Sequence, residues 1–273
     1  MRFTKMHGLG NDFILADGFN QTIPEPGEAA RRLCPRRFGV GADGLILALP
    51  SQCADARMRI FNADGSEPEM CGNGIRCLGK FLYDSGLCRK QAMTIETLAG
   101  VLTLSLEVEG GLARRVRVDM GAPRLESAEI PVAAPSNQIT LELDGAPTRF
   151  FCVSMGNPHA VTFDLYPGDE AFHRLGAMLE KHPIFPARAN IEFCRINEAG
   201  GIDVRVWERG DGPTLACGTG ACAVLTAAAS LGLSPRHNTV RLPGGELDIL
   251  WAEDGHLFMT GPAETVYEGE AAL

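Results

Sequence analysis

Two stretches of the chain carry the same small set of residues suited to proton chemistry: EMCGNGIRCL (Glu69 to Leu78) and TLACGTGACAV (Thr214 to Val224). In each, a cysteine is followed by Gly-x-Gly and then by a largely apolar run. Glycines permit a tight turn into a helix, which puts Cys71 and Cys217 just before or at a first helical turn. Backbone N–H groups at that point have no partner within the helix. Together with the helix dipole they favour negative charge. A thiol held there is expected to ionise below its ordinary value of about 8.5. A carboxylate can also dock on the N–H groups of Gly72 and Asn73, or of Gly218 and Thr219.

If the two motifs face each other across a cleft, two thiols flank one carbon. A thiolate on one side removes an α-proton, a thiol on the other returns one, and the configuration inverts. Such a site works by general acid–base catalysis, with N–H groups stabilising the developing enediolate. No cofactor is needed: no pyridoxal-phosphate site is evident. A lone cysteine in a glycine-rich turn is more often buried and inert. Two at equivalent positions of a repeat argue for function, with a redox pair as a rival reading.

The elements that must position the motifs are themselves repeated. Cys71 to Cys217 is a step of 146 residues, and the same ungapped step carries Gly10-Asn11 to Gly156-Asn157 and Arg59-Ile60-Phe61 to Arg205-Val206-Trp207. It also carries Gly86-Leu87 to Gly232-Leu233. Before each motif lies a run with strand alternation, ARMRIFNA and GIDVRVWE; after each helix come further strand runs, separated by Gly and Pro. The expected architecture is α+β: two pseudo-symmetric domains from an internal duplication, each a curved, mostly antiparallel sheet or barrel around a central helix. The expected domains are residues 1–117, joined by a C-terminal strand 263–273, and residues 118–262. The helix of the second motif is apolar on every face and must be surrounded by protein.

The net charge of -9, with no run of Lys or Arg, disfavours nucleic acid and anionic membranes as partners. No apolar signal segment is evident near Met1, and the longest apolar run is too short to span a bilayer. Nine cysteines, an odd number without a C-x-x-C or a paired His/Cys spacing, suggest free thiols in a reducing compartment and no structural metal. The cytoplasm is the expected location. Cys77 and Cys222 fall on helix faces that should point into the core.

Seven stretches in order resemble the diaminopimelate epimerase family: MHGLGNDFILAD, RRFGVGADGLI, FNADGSEPEMCGNGIRC, MGNPHAV, NIEF, ERGDGPTLACGTGACA and VYEG. They cover nearly the whole chain. The resemblance implies cofactor-independent conversion of LL- to meso-2,6-diaminopimelate, for lysine and peptidoglycan precursors, with Cys71 and Cys217 as the acid/base thiols. It implies that Gly72, Asn73, Gly218 and Thr219 hold the reacting carboxylate, and that Asn11, Asn62, Asn157, Asn190, Glu208 and Arg209 bind the rest of the substrate. It further implies that His159 and Glu208 tune the thiols, that the two domains close on the substrate, and that the chain forms a homodimer with Tyr267 at the contact. From the residues alone, His159 is as readily structural as functional. The chain departs from the family pattern at Gly44 and Pro213. Two alternatives remain: a proline or hydroxyproline racemase or related isomerase on the same fold, and a non-catalytic, thiol-sensing amino-acid-binding protein.

Overall fold

In the computed structural model, which describes residues 1–273, the chain divides into two compact units: Met1–Asp119 with Thr260–Leu273, and Met120–Met259. The first contains β1 (Arg2–Gly8), β2 (Asn11–Asp17), α1 (Pro26–Leu33), β3 (Gly44–Leu49), β4 (Ala56–Asn62), α2 (Gly72–Asp84), β5 (Ala92–Thr97), β6 (Gly100–Glu109) and β7 (Leu112–Asp119). The second contains β8 (Gln138–Leu143), β9 (Ala146–Ser154), β10 (Pro158–Thr162), α3 (Asp169–Glu180), β11 (Asn190–Ile196), β12 (Ile202–Glu208), β13 (Gly212–Pro213), α4 (Gly218–Ser230), β14 (His237–Leu242) and β15 (Gly245–Trp251). The chain returns to the first unit along β16 (Leu257–Pro262) and ends in β17 (Glu264–Glu270).

In the first unit the strands pair in the order β17-β1-β2-β3-β4-β5-β6-β7. The β2/β3 and β4/β5 pairs are parallel and the others antiparallel. In the second, β8-β9-β10-β11-β12-β14-β15 repeats the scheme, with β10/β11 and β12/β14 parallel. The parallel pairs have a simple cause. A parallel neighbour needs a long crossover, and here each crossover is a helix: α1 and α2 in one unit, α3 and α4 in the other. The fold is thus the α+β duplication expected from the sequence. Starts 44, 56 and 72 of β3, β4 and α2 become 190, 202 and 218 in β11, β12 and α4, each a difference of 146.

The central helices are enclosed by their own sheets. α2 packs on β1, β2, β3, β4, β6 and β7, and α4 on β9, β10, β11, β12, β14 and β15. Burial extends from Gly220 through Ala228, as an all-round apolar sequence requires. Cys77 and Cys222 lie fully inside, and burial pushes the Cys77 thiol up to about 12, so neither is placed to react. The smaller helices α1 and α3 cover the opposite face of β3/β4 and β11/β12. Strand alternation then divides β3: Leu45 and Leu47 join Ala29, Ala30 and Leu33 of α1, while Ile46 turns under α2. No helix is long and apolar enough to cross a membrane.

The α3 layer leaves no room at Gly176, where an added Cβ would sit 2.6 Å from the Trp207 ring. Trp207 is held by its Nε1–H donating to Glu180 at 3.0 Å. Gly176→Ala is therefore expected to destabilise the protein by about 1–3 kcal/mol, the usual size of core overpacking. Urea unfolding of the variant beside the parent measures it.

Candidate active site

Both motif cysteines are N-caps. Cys71 has extended backbone (φ -138, ψ 119) ahead of α2, and Cys217 has nearly the same angles (φ -126, ψ 109) ahead of α4. Each sulfur accepts from the N–H three residues on: Gly74 N at 3.5 Å and Gly220 N at 3.3 Å. The second glycine of the motif is needed for packing. A Cβ on Gly74 would meet Ile46 Cδ1 at 2.9 Å, and one on Gly220 would meet Glu192 Oε1 at 3.1 Å and Cys217 Sγ at 3.2 Å. Glycine lets the first helical turn approach these side chains without displacing them.

In the first unit Cys71 is half-buried, and its thiol faces Asn11 Oδ1 at 3.7 Å. Asn73 Nδ2 donates to the same oxygen at 3.2 Å, and Arg76, fully buried, donates to Asn73 Oδ1 at 3.0 Å and to the Gly72 carbonyl at 3.1 Å. Asn11 Nδ2 in turn donates to Asp43 Oδ2 at 2.8 Å. Arg36 bridges Asp43 and Asp12, and Lys5 pairs with Asp12 at 2.6 Å. The amide beside Cys71 is therefore oriented by an ion-pair network the sequence reading did not name. Its signal was the charged content of the GLGNDF and GVGADG loops. Asn62, at the end of β4, donates to Ser66 Oγ at 3.0 Å. Gly44 faces Asn62 across β3/β4, and a side chain there would collide with the Phe61 carbonyl at 2.7 Å.

In the second unit Cys217 is buried, with Thr219 Oγ1 at 3.5 Å from its sulfur. Asn157 Nδ2 donates to Thr219 Oγ1 at 3.3 Å, and His159 Nε2 lies 3.0 Å from Asn157 Oδ1. His159 Nδ1 is 2.6 Å from Glu192 Oε1, both side chains being 0% exposed. Glu208 accepts from Thr214 Oγ1 at 2.6 Å and also faces the Cys217 thiol. Thr214 keeps this contact although Pro213 precedes it. Asn190 accepts from the Arg209 N–H at 2.9 Å, while the exposed Arg209 guanidinium donates to the Ala187 carbonyl at 3.2 Å. Asn157, His159, Glu208, Gly218 and Thr219 thus gather around Cys217, as Asn11, Gly72 and Asn73 gather around Cys71. Tyr267 lies apart, on β17, with its ring edge-on to Phe3.

The expected low thiol pKa does not hold at Cys217. Burial pushes it well above the ordinary value, the Glu208 and Glu192 carboxylates add to the rise, and Thr219 and the Gly220 N–H oppose it only in part. The dipole effect is present but outweighed, because the sulfur has lost nearly all its water. Burial likewise raises Glu208, against hydrogen bonds from Thr214 and Cys217.

A duplicated α+β chain with one helix-capping thiol per unit falls among known folds. It resembles a probable proline racemase from Agrobacterium radiobacter (TM-score 0.73, 20% identity, 100% of this chain and 93% of that one) and a Bacillus anthracis phenazine biosynthesis protein of the PhzF family (TM-score 0.71, 21% identity, 100% and 99%). At such identities the likeness concerns the fold alone. Sequence narrows the class: the family model described as diaminopimelate epimerase matches residues 3–126 and 151–266. The chain is 54% identical over 275 residues to the diaminopimelate epimerase of Desulforudis audaxviator, covering 99% of both chains. It is 50% identical over 274 residues to that of Methanococcus maripaludis, again covering 99% of both. The chain belongs to the diaminopimelate epimerase family.

The ion-pair network beside Cys71 has a testable pH signature. Burial alone would raise the Asp12 carboxyl, but hydrogen bonds from Arg36 and Lys5 hold it well below the usual carboxylate range. A depressed folded-state value contributes stability above the unfolded value and loses it as pH falls through the folded one. Asp12→Asn should therefore lower stability by about 2–3 kcal/mol at pH 7, with the gap to the parent narrowing below about pH 4. Denaturant titrations across that range give the comparison.

Proposed function

We propose that this protein converts LL-2,6-diaminopimelate to meso-2,6-diaminopimelate without a cofactor, with Cys71 and Cys217 as its two acid/base groups and the substrate bound between the two units. The observation that carries this reading is the duplication of one device: a thiol N-capping a central helix, with the N–H groups of that helix's first turn beside it. An inversion needs a proton acceptor on one face of the carbon and a donor on the other, and two copies of one device supply both. The family relationship supports the substrate.

In the LL direction Cys217 removes the α-proton and Cys71 delivers one to the opposite face; the roles exchange in reverse. The N–H groups of Gly72, Asn73, Gly218 and Thr219 hold the reacting carboxylate and take up the charge that develops on it. Asn11, Asn62, Asn157 and Asn190 read the polar groups of the substrate through neutral amides, and Glu208 and Arg209 match the ammonium and carboxylate of the distal centre. Fixing that centre restricts inversion to one end. His159 and Glu208 adjust the thiols. The raised Cys217 value suits the chemistry, since a thiolate of higher pKa is a stronger base toward a weakly acidic α-proton. Closure of the two domains on the substrate would exclude water and strengthen these interactions. The proposal includes a homodimer with Tyr267, 44% exposed on β17, at the contact. It also includes a cytoplasmic location, which suits a chain whose nine cysteines are all free.

Two experiments bear on this reading. Purified enzyme under reducing conditions in deuterated water should place deuterium at an α-carbon of LL-diaminopimelate, with chiral separation showing the meso product. Cys71→Ala and Cys217→Ala should each lower turnover by about 10²–10⁴-fold while remaining folded, as loss of a general acid or base does. Full activity in either variant, or racemisation of proline instead, would sink the assignment. The second concerns pH. The base form of Cys217 grows as pH rises toward its raised value, so kcat/KM in the LL direction should climb through neutral pH. Glu208→Gln removes an anion that pushes the thiol up, and should move that limb down by about one pH unit even as kcat falls.

A further inference from the structure

Ile191 and Phe193 of β11 turn into the core beneath α3. Glu192, between them, turns the other way, under the first turn of α4 beside Gly220. One repeat earlier that place belongs to Ile46, which turns under α2 beside Gly74. His159 likewise stands where the first unit has Phe13: His159 pairs with Asn190 as Phe13 pairs with Gly44. The second unit has thus exchanged two apolar side chains of one internal layer for an acid and an imidazole. Burying such groups is costly unless their charges cancel, and the mechanism above gives Glu192 no part.

The contacts around this pair have a direction. Asn157 presents its Nδ2 to Thr219 Oγ1, so its Oδ1 faces His159 Nε2 and must accept. With the amide placed so, the partner it requires is a His159 ring protonated on Nε2. Nδ1, 2.6 Å from Glu192 Oε1, shares one further proton with that carboxyl. Wherever along the line this proton rests, the pair is neutral overall, as a site without solvent requires. Burial pushes the Glu192 carboxyl up, against the lowering influence of His159 and the Ala160 N–H, and Oε2 lacks a hydrogen bond of normal geometry. Thr219 accepts from Asn157, which leaves its own hydroxyl hydrogen for Cys217 Sγ, 3.5 Å away.

We propose that Glu192 is a positioning residue: it holds His159 in the form protonated on Nε2, and so orients a chain of donors through Asn157 and Thr219 that ends on Cys217 Sγ. Reversing the ring tautomer would reverse every link. Nε2 would accept, the Asn157 amide would turn, and the Thr219 hydroxyl would donate to Asn157 instead of sulfur. Cys217 would then lose a donor to its thiolate. The carboxylates facing that sulfur are Glu208 and Glu192, with His159 acting on Glu208; Glu208 favours the neutral thiol, and Glu192 does so while the shared proton rests on His159, so the hydroxyl donor counts. This rests on the reading of Cys217 as an acid/base group, but its test does not require turnover.

The direct measurement is the ¹⁵N ring spectrum of His159 in the unmodified enzyme. A proton on Nε2 is expected, and a ring protonated on Nδ1 alone overturns the proposal. The second is the pH dependence of iodoacetamide alkylation at Cys217, followed by mass spectrometry of its peptide. Glu192→Leu removes the partner of Nδ1 and should slow alkylation about tenfold at neutral pH, the size of one hydrogen bond to a charged acceptor. Glu192→Gln, whose amide can donate to Nδ1, should restore the rate to within about twofold of the parent. Simple loss of a carboxylate charge predicts the opposite sign, faster alkylation in Glu192→Leu; that result, or equal rates in all three proteins, overturns the proposal. Should Glu192→Leu fail to fold, the ring spectrum decides. Failure of the epimerase reading would show separately, as turnover surviving in Cys217→Ala.

Discussion

The first turn of each central helix carries both the capping thiol and the free N–H groups of the site, and it lies close against strand side chains at a glycine. A Cβ on Gly74 would press on Ile46 Cδ1 at 2.9 Å, and one on Gly220 would require Glu192 Oε1 and the Cys217 sulfur, at 3.1 and 3.2 Å, to give way. At each, the cysteine three residues earlier caps the helix with its sulfur accepting from that glycine's N–H. At Cys217, placing the capping thiol inside the protein has two opposed electrostatic results. It supplies N–H groups and a helix dipole to a negative sulfur, and it strips water from that sulfur. At Cys217 the second effect wins. The product is a thiol that ionises reluctantly and, once ionised, is a strong base.

The two copies of the device have diverged in what supports them. Beside Cys71, Asn11 is set by carboxylates paired with Arg36 and Lys5, and the guanidinium of Arg76 lies buried below the helix turn. Beside Cys217, the equivalent Asn157 is set by a buried imidazole and carboxylate, and a second carboxylate, Glu208, faces the sulfur. The backbone device is nearly identical in both; the charged groups around it are not. A duplicated fold can keep a common geometry while the surroundings of its two thiols diverge, because backbone angles are set locally and proton affinity by whatever charges are packed nearby.

Much of the architecture could be read from residue order. The ungapped 146-residue step locates matching strands and helices, since a helix and its flanking strands keep their lengths when both ends are packed in a sheet. The all-round apolar run after Gly218 announces an enclosed helix. The parallel pairs were less legible: strand alternation says which face is buried but not which neighbour lies alongside. The crossovers through α1 and α3, which the reading did not name, decide that.

Residue type and spacing alone determined the pair of helix-capping thiols, the repeat and the carboxylate-binding N–H groups of Gly218 and Thr219, because caps, turns and periodicity are local properties of the chain; Asn11, Asn157 and Glu208 came from the family resemblance. The charge environment of the thiols was decided only by tertiary structure. In sequence, Glu192 is one acid in an apolar strand, 25 residues before Cys217, and Arg36 lies 35 residues before Cys71. What each does to a sulfur depends on which way a strand turns its side chains and how much water remains. Desolvation and Coulomb interactions act through space, so their balance exists only once the chain has folded.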